Sequence, residues 1–197
     1  LAITGEHQNF FTEVIRRSDE MEAEYERFFG EPLVMTEANA GLEFMKRLIQ
    51  NDLILMTSDT RISEAVGARG QTAPPIGFVY VYSHHRHIPT KNLALDAHEN
   101  VKPFNGYSYG MYIQIAAEAP NPNAAKLFAN FLNTEEGFAA WHNGLGFYSM
   151  NDNIAPPEDG HRDSWNWWAE RVWAYDLEFA TQNRGVVIDA WMRYIMQ

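Results

Sequence analysis

Three short polar segments, each placed after a predicted strand, carry side chains and backbone amides suited to binding a small molecule. They are Thr4-Gly5-Glu6-His7, Thr36-Glu37-Ala38-Asn39 and Thr57-Ser58-Asp59-Thr60. In parallel sheets, ligands bind beyond the carboxyl ends of the strands, where loops lead into helix N-termini. Free amides at the helix starts would favour an anionic group on the ligand. The carboxylates of Glu6, Glu37 and Asp59 would favour a cationic one.

The same residues also have a plain structural interpretation. Ser58, Asp59 and Thr60 belong to the residue types preferred at helix N-caps, so they could serve only to cap the helix that follows. The sequence leaves both roles open.

A histidine cluster lies in Ser83-His84-His85-Arg86-His87. Three imidazoles so close together could bind zinc or copper. However, adjacent residues of an extended chain point to opposite sides, and Asp96 and His98 are the nearby candidates to complete a site. We therefore expect a solvated loop and no metal site, although metal binding by the cluster stays open.

Motifs for catalysis are absent. The sequence contains no nucleophile elbow, metalloprotease helix or phosphate-binding loop, and none of its many carboxylates forms a pair that stands out. We expect no catalytic residue, no cofactor and no enzymatic activity.

The composition is that of a soluble globular protein. The 197 residues include 15 Lys and Arg against 26 Asp and Glu, a formal net charge of −11. This balance argues against a nucleic-acid partner, which requires a basic face. The absence of cysteine excludes disulfides and Cys-bound metals. Because the chain begins at Leu1 without a signal peptide, we expect a processed or partial product.

Hydrophobic spacing predicts the elements that would position the polar segments. Helical periodicity covers residues 8–29 and 41–50, and a short helix is predicted from 59 to 66. Continuous apolar runs predict strands. These runs are residues 1–4, 33–36, 53–57, 76–82 and 111–116. The alternation of strands and helices indicates an α/β layer structure with a mostly parallel sheet.

The second half of the chain is predicted to be mainly helical. Residues 83–106 are expected to be irregular, followed after the last strand by helices at 122–132 and 134–142. The Trp-rich tail, 164–196, is predicted to be helical with a break near Gly185.

The helix from 122 to 132 has clear local signals. Asn121 is a predicted N-cap and Pro122 the first helical residue. Asn133 and Glu136 are spaced like a capping box that opens the next helix. Its apolar residues are predicted to form a buried stripe. They are Leu127, Phe128, Phe131 and Leu132.

Residues 119–137 also carry a resemblance. They read Ala-Pro-Asn-Pro-Asn-Ala-Ala-Lys-Leu-Phe-Ala-Asn-Phe-Leu-Asn-Thr-Glu-Glu-Gly. This segment resembles the ABC-importer solute-binding proteins that include ferric-iron, thiamine and polyamine receptors. In that family a strand leads to a small-Pro-Asn-Pro-x-Ala-Ala-x-x-Phe helix and then to a Ser/Thr-x-Glu-Gly helix start. The resemblance spans about residues 1–150 and is specific between 116 and 149.

The resemblance implies a periplasmic-binding-protein-like fold, in which two α/β lobes with mostly parallel sheets flanked by helices close on a ligand about a hinge. Residues 1–104 would form the second lobe. Residues 105–197 would form a crossover strand and a C-terminal helical return segment, a remnant of the first lobe. We therefore expect exposed apolar surface that a missing first lobe or a dimer partner would cover.

The resemblance also implies ligand contacts on the inner faces of the lobes. Together with the strand-end rule it selects Thr4, Gly5, Glu6, Glu37, Asn39, Ser58, Asp59 and Thr60. Tyr107 and Tyr109, near the return crossover, are aromatic residues that could stack on a solute. Ferric-iron members use a pair of adjacent tyrosines, and this sequence has none. An organic solute is therefore favoured over ferric iron.

The implied function is that of the substrate-binding component of an ABC importer. Its partners would be a small-molecule solute and an ABC permease, and its location periplasmic or extracellular, lipid-anchored or secreted. The alternative is a ligand-sensing or protein-interaction module of the same fold without a transport role.

Overall fold

Helices make up most of the fold. The structure is a computed structural model that describes residues 5–80, 82–96, 100–156 and 165–196; for residues 82–85 and 144 it describes the backbone only. The elements are α1 (Gly5–Arg16), α2 (Ser18–Phe29), α3 (Ala40–Gln50), α4 (Asp59–Gly67), α5 (Tyr82–Lys91), β1 (Tyr107–Ser108), α6 (Pro122–Leu132), α7 (Glu135–Leu145), α8 (Trp165–Ala169), β2 (Trp173–Ala174) and α9 (Leu177–Ile195).

The chain forms two units. Unit 1 consists of Leu1–Leu55, His98–Tyr109 and Arg171–Gln197, and unit 2 consists of Met56–Ala97 and Gly110–Glu170. In unit 1, α1 packs against α3 and α9, and α3 also packs against α9. In unit 2, α5 packs against α4 and α7, and α6 packs against α7.

Unit 1 has an aromatic core. Its buried residues are Phe10, Phe11, Val14, Leu42, Met45, Phe104, Trp173, Val187, Ala190, Trp191 and Tyr194. The rings of Phe104 and Trp173 stack with centroids 3.9 Å apart. The other buried side chains come from helical stripes on α1, α3 and α9, so burying them together provides most of the driving force for this unit.

A buried carboxylate fixes α1 to the start of α9. Glu13 is fully buried. Its Oε2 accepts hydrogen bonds of 2.9 and 2.7 Å from Arg16, and its Oε1 accepts a 2.7 Å bond from the backbone amide of Asp176. Because these bonds and the charge of Arg16 compensate the loss of hydration, a charged group is tolerated in this core.

The helix boundaries follow local signals. Gly30 ends α2 in the left-handed region, with φ of 73°, a conformation that favours glycine. Asn39 and Ser58 cap α3 and α4 through their side chains. Pro122 opens α6 as predicted, but Asn121 makes no side-chain cap bond. Thr134, and not Asn133, caps α7.

Among the described residues, the predicted mostly parallel sheet is present only in part, as one short parallel pair. Within these residues, β1 and β2 are the only strands, and they pair in parallel with Tyr107 opposite Trp173. The runs at 33–36, 53–57, 76–80 and 111–116 form no ladder, and several of their apolar side chains are exposed. Examples are Val34, Ile54, Ile76 and Tyr112. Apolar runs favour strands, but a strand also needs a neighbouring backbone with which to pair. The strand predicted at 1–4 lies outside the described residues.

Three further predictions fail for identifiable reasons. Part of the segment predicted to be irregular forms α5. This helix contains Pro89, and because proline usually breaks helices, the sequence did not predict it. The predicted break near Gly185 is absent, since α9 runs through it. The predicted stripe of α6 is not buried: Leu127 is 71% exposed and Phe128 59%.

Candidate functional site

The residues predicted to contact a ligand fall into three groups, two in unit 1 and one in unit 2. Thr4 lies outside the described residues. The first group surrounds the start of α1 and contains Gly5, Glu6, Tyr107 and Tyr109. Gly5 and Glu6 form the first turn of α1, where a loop was predicted.

Tyr107 is the centre of the first group. Its hydroxyl donates a 3.0 Å hydrogen bond to the carbonyl oxygen of Glu6, and its ring stacks on Tyr109 with centroids 5.8 Å apart. Burial, together with the nearby Tyr109 and Glu6, raises the pKa of Tyr107 above its ordinary value. Tyr107 therefore stays a neutral donor, while Tyr109, 37% exposed, presents aromatic surface to solvent.

The second group lies at the start of α3. The Oδ1 atom of Asn39 accepts a 2.9 Å hydrogen bond from the amide of Leu42, as expected of an N-cap. The same oxygen accepts a 3.2 Å bond from the hydroxyl of Ser18. Asn39 thus joins α2 to α3, which is a structural role.

Glu37, also in the second group, is held by cations. Its carboxylate pairs with Lys46 at 3.1 Å and with Arg193 at 3.3 Å. Burial would raise the pKa of Glu37, but hydrogen bonds from Tyr194 and Lys46 outweigh it and lower the pKa. The charge of Glu37 is therefore largely neutralised within unit 1.

The first two groups do not form one site. A Cβ atom on Gly41, at the start of α3, would lie 2.5 Å from the Cα of Ile15. Glu6 and Ile15 are near opposite ends of α1, roughly 14 Å apart at 1.5 Å per helical residue. Gly5, Glu6 and the tyrosines are therefore well separated from Glu37 and Asn39.

The third group lies at the start of α4 in unit 2. Ser58 caps the helix, since its Oγ accepts a 3.3 Å bond from the amide of Arg61. Asp59 accepts a 3.4 Å bond from the amide of Tyr80. The Oγ1 atom of Thr60 lies 3.4 Å from Nε2 of His87. Ser58 thus has the capping role, whereas Thr60 borders a groove.

This groove is lined by Thr60, Arg86, His87, Thr90 and Lys91. The sequence identified Thr60 as a ligand contact and His87 as a possible metal ligand, but it did not identify Arg86, Thr90 and Lys91. Once α5 is known, Thr90 follows Arg86 by four residues and Lys91 follows His87 by four residues, which is the spacing of neighbours on a helix surface. A second groove in unit 2 is lined mainly by α7 and residues 154–156.

The histidine cluster is only partly described. The side chains of His84 and His85 lie outside the described residues, and His87 is buried against α4. The described part of the chain contains no group of three or more His, Cys, Asp or Glu residues that could hold a metal ion. Within the same part, no helix is long and apolar enough to cross a membrane.

Comparison with known proteins identifies the family. Neither a curated protein nor a solved structure gives a significant match. A family model for bacterial extracellular solute-binding proteins matches residues 24–168, about three quarters of the chain. The match includes the segment 116–149 that carries the resemblance in the sequence. Members of this family are binding proteins and not enzymes. The family match therefore confirms the prediction that this chain is not an enzyme. This chain belongs to the family of bacterial extracellular solute-binding proteins.

Proposed function

We propose that this chain is the substrate-binding component of an ABC importer and captures a small solute in a cleft between two lobes by hinge closure. The observation that carries the proposal is the family match over residues 24–168. Binding proteins of this fold function by closing on a ligand, and the residues around the cleft supply specificity.

We assign residues 1–104 to the second lobe and residues 105–197 to the crossover and return segment. The exposed apolar runs support this assignment. Ile76 is 95% exposed and Tyr112 is 78% exposed, although both lie in strand-like sequence. Such runs suit sheet strands that pair with backbone contributed by the rest of a two-lobed protein.

The solute contacts that we favour are Glu6, Asp59, Thr60 and Tyr109. The carboxylates of Asp59 and Glu6 and the hydroxyl of Thr60 provide polar contacts, and Tyr109 provides a stacking face. Glu37, Asn39 and Ser58 support the helix starts. An organic solute is favoured over ferric iron, because the sequence has no adjacent tyrosines.

The permease of an importer is the partner that this function requires, and the site of action is outside the cytoplasm.

A second candidate function is that of a sensing or interaction module of the same fold. The exposed α6 residues Leu127, Phe128 and Phe131 favour it, since such apolar patches commonly mark protein contacts.

A thermal-shift screen of the full chain tests the proposal. The panel contains polyamines, thiamine and its phosphates, phosphonates, amino acids, ferric iron and zinc. A solute at 100 times its dissociation constant adds about 2.7 kcal/mol to the free energy of unfolding, which gives a clear rise in Tm. One class of stabilising organic solute supports the importer component, whereas stabilisation by no compound contradicts it.

A further inference from the structure

The groove between α4 and α5 combines donors from both helices. Thr60 lies in the first turn of α4, whose amides have no acceptor within the helix. Arg86, His87, Thr90 and Lys91 come from α5. Hydroxyl, imidazole, guanidinium and ammonium groups thus border one groove.

A buried polar side chain in this groove is incompletely satisfied. His87 is 3% exposed, and its Nδ1 atom is buried without a hydrogen-bond partner among the described residues. Its other nitrogen, Nε2, has only the long 3.4 Å contact with Thr60. Native proteins rarely leave a buried polar atom unpaired, and such atoms often mark a ligand site.

A second buried polar atom without a partner lies on α4, near Thr60. Ser63 is fully buried, and its Oγ has no partner within the described chain. Ser63 follows Thr60 by three residues, so the two share a face of the helix. Each of the two helices that border the groove therefore carries a buried polar atom without a partner in the described chain.

The charge of the groove is positive at Arg86. This exposed guanidinium forms no ion pair with any described residue. The ammonium of Lys91 pairs with Glu64 at 2.7 Å, and Asp59 accepts the amide of Tyr80. Neither Asp59 nor Glu64 forms an ion pair with Arg86, which leaves its guanidinium available to an anion.

We propose that the groove between α4 and α5 binds an oxyanion, a phosphate or sulfate group, with Arg86, His87 and Thr60 as its donors. The proposal rests on the proposed function, since it assigns the anionic part of the solute to this groove. The first-turn amides of α4 add further positive potential on the same side.

Titration of the full chain with inorganic phosphate, followed by NMR at constant ionic strength, tests the proposal. Saturable shifts of the His87 ring signals and of the Thr60 amide are expected. Arg86→Gln should weaken the apparent affinity about tenfold, the effect of losing one charge-assisted hydrogen bond. Lys126→Gln is the matched control, because Lys126 is an exposed cation of the same unit on α6.

Two outcomes overturn the proposal. One is that phosphate produces no saturable change at His87, and the other is that both variants bind phosphate as the wild type does. Thiamine phosphate, with unphosphorylated thiamine as its control, then separates a free anion from a phosphate ester. Tighter binding of the ester than of inorganic phosphate supports a phosphorylated solute, and no gain over inorganic phosphate supports the free ion. An organic solute that binds without affecting His87 contradicts the groove but leaves solute binding intact.

Discussion

Among single residues, Glu43 shows how a buried charge shapes the start of α3. Its Oε2 accepts bonds from the amide of Thr36 at 2.8 Å and the amide of Glu37 at 3.2 Å, and its Oε1 accepts a 2.7 Å bond from Arg47. Burial would raise the pKa of Glu43, but these bonds outweigh it and lower the pKa to about 2. The carboxylate thereby fixes the loop that holds Glu37.

This shift predicts acid sensitivity. The folded pKa, about 2, is below the ordinary value of 4.5. The stabilisation is therefore complete above pH 4.5 and is lost as the pH falls towards 2. Glu43→Gln should lower the free energy of unfolding by about 3 kcal/mol at pH 7 and less at pH 3. Urea unfolding across this range measures the difference.

The control for this prediction is Glu26→Gln, which alters an exposed carboxylate on α2. It should change stability by at most about 0.5 kcal/mol at any pH. If the Glu43 variant and the wild type lost stability in parallel between pH 4.5 and 3, the assigned role of this carboxylate would be wrong.

At the scale of elements, α9 is continuous where glycine suggested a break. Gly185 has no positive φ, and a Cβ added to it would meet no atom within 4 Å. Gly185→Ala should therefore raise the free energy of unfolding by about 0.5–1 kcal/mol, because alanine favours the helix. Thermal unfolding provides the measurement.

Gly30→Ala is the matched control for α9. A Cβ at Gly30 is equally unobstructed, but its φ is 73°, so alanine should destabilise by about 1 kcal/mol. Destabilisation by Gly185→Ala would instead indicate that α9 bends or ends at this residue in solution.

The exposed face of α6 gives another prediction at this scale. Leu127 is 71% exposed, whereas Leu42 on α3 is 7% exposed. Leu127→Ala should cost at most about 0.5 kcal/mol, whereas the same change at Leu42 should cost about 2–5 kcal/mol. Urea unfolding compares the two variants. Equal losses would show that another surface covers α6 in solution.

Local signals explain which elements were predictable. Ser58 and Pro122 mark helix starts through geometry and hydrogen bonds within a few residues, so the sequence reveals them. Sheet pairing depends on distant backbone, which no local pattern encodes; β1 and β2, with two residues each, carry almost no signal.

The candidate site divides in the same way. The sequence identified Thr60 from its position after an apolar run, a local feature. It identified His87 only as a possible metal ligand and did not identify Arg86 and Thr90, because their place at the groove depends on α5 forming despite Pro89 and packing against α4. The sequence selected Glu6 and Glu37 together through the strand-end rule, whereas the structure separates them along α1.

At the scale of the whole molecule, family membership is the feature that determines function. The match over residues 24–168 makes this a solute-binding protein, and the acidic composition, with a net charge of −11, suits a soluble carrier and not a nucleic-acid partner. The proposed function requires that one small solute binds each chain reversibly.

Reversible solute binding is tested by native mass spectrometry of the full chain after incubation with the pooled organic solutes of the thermal-shift screen. We expect one non-covalent adduct per chain. Its occupancy should saturate with solute concentration, and the adduct should disappear on denaturation. A folded chain that acquires no adduct from any solute at millimolar concentration would contradict the proposed function.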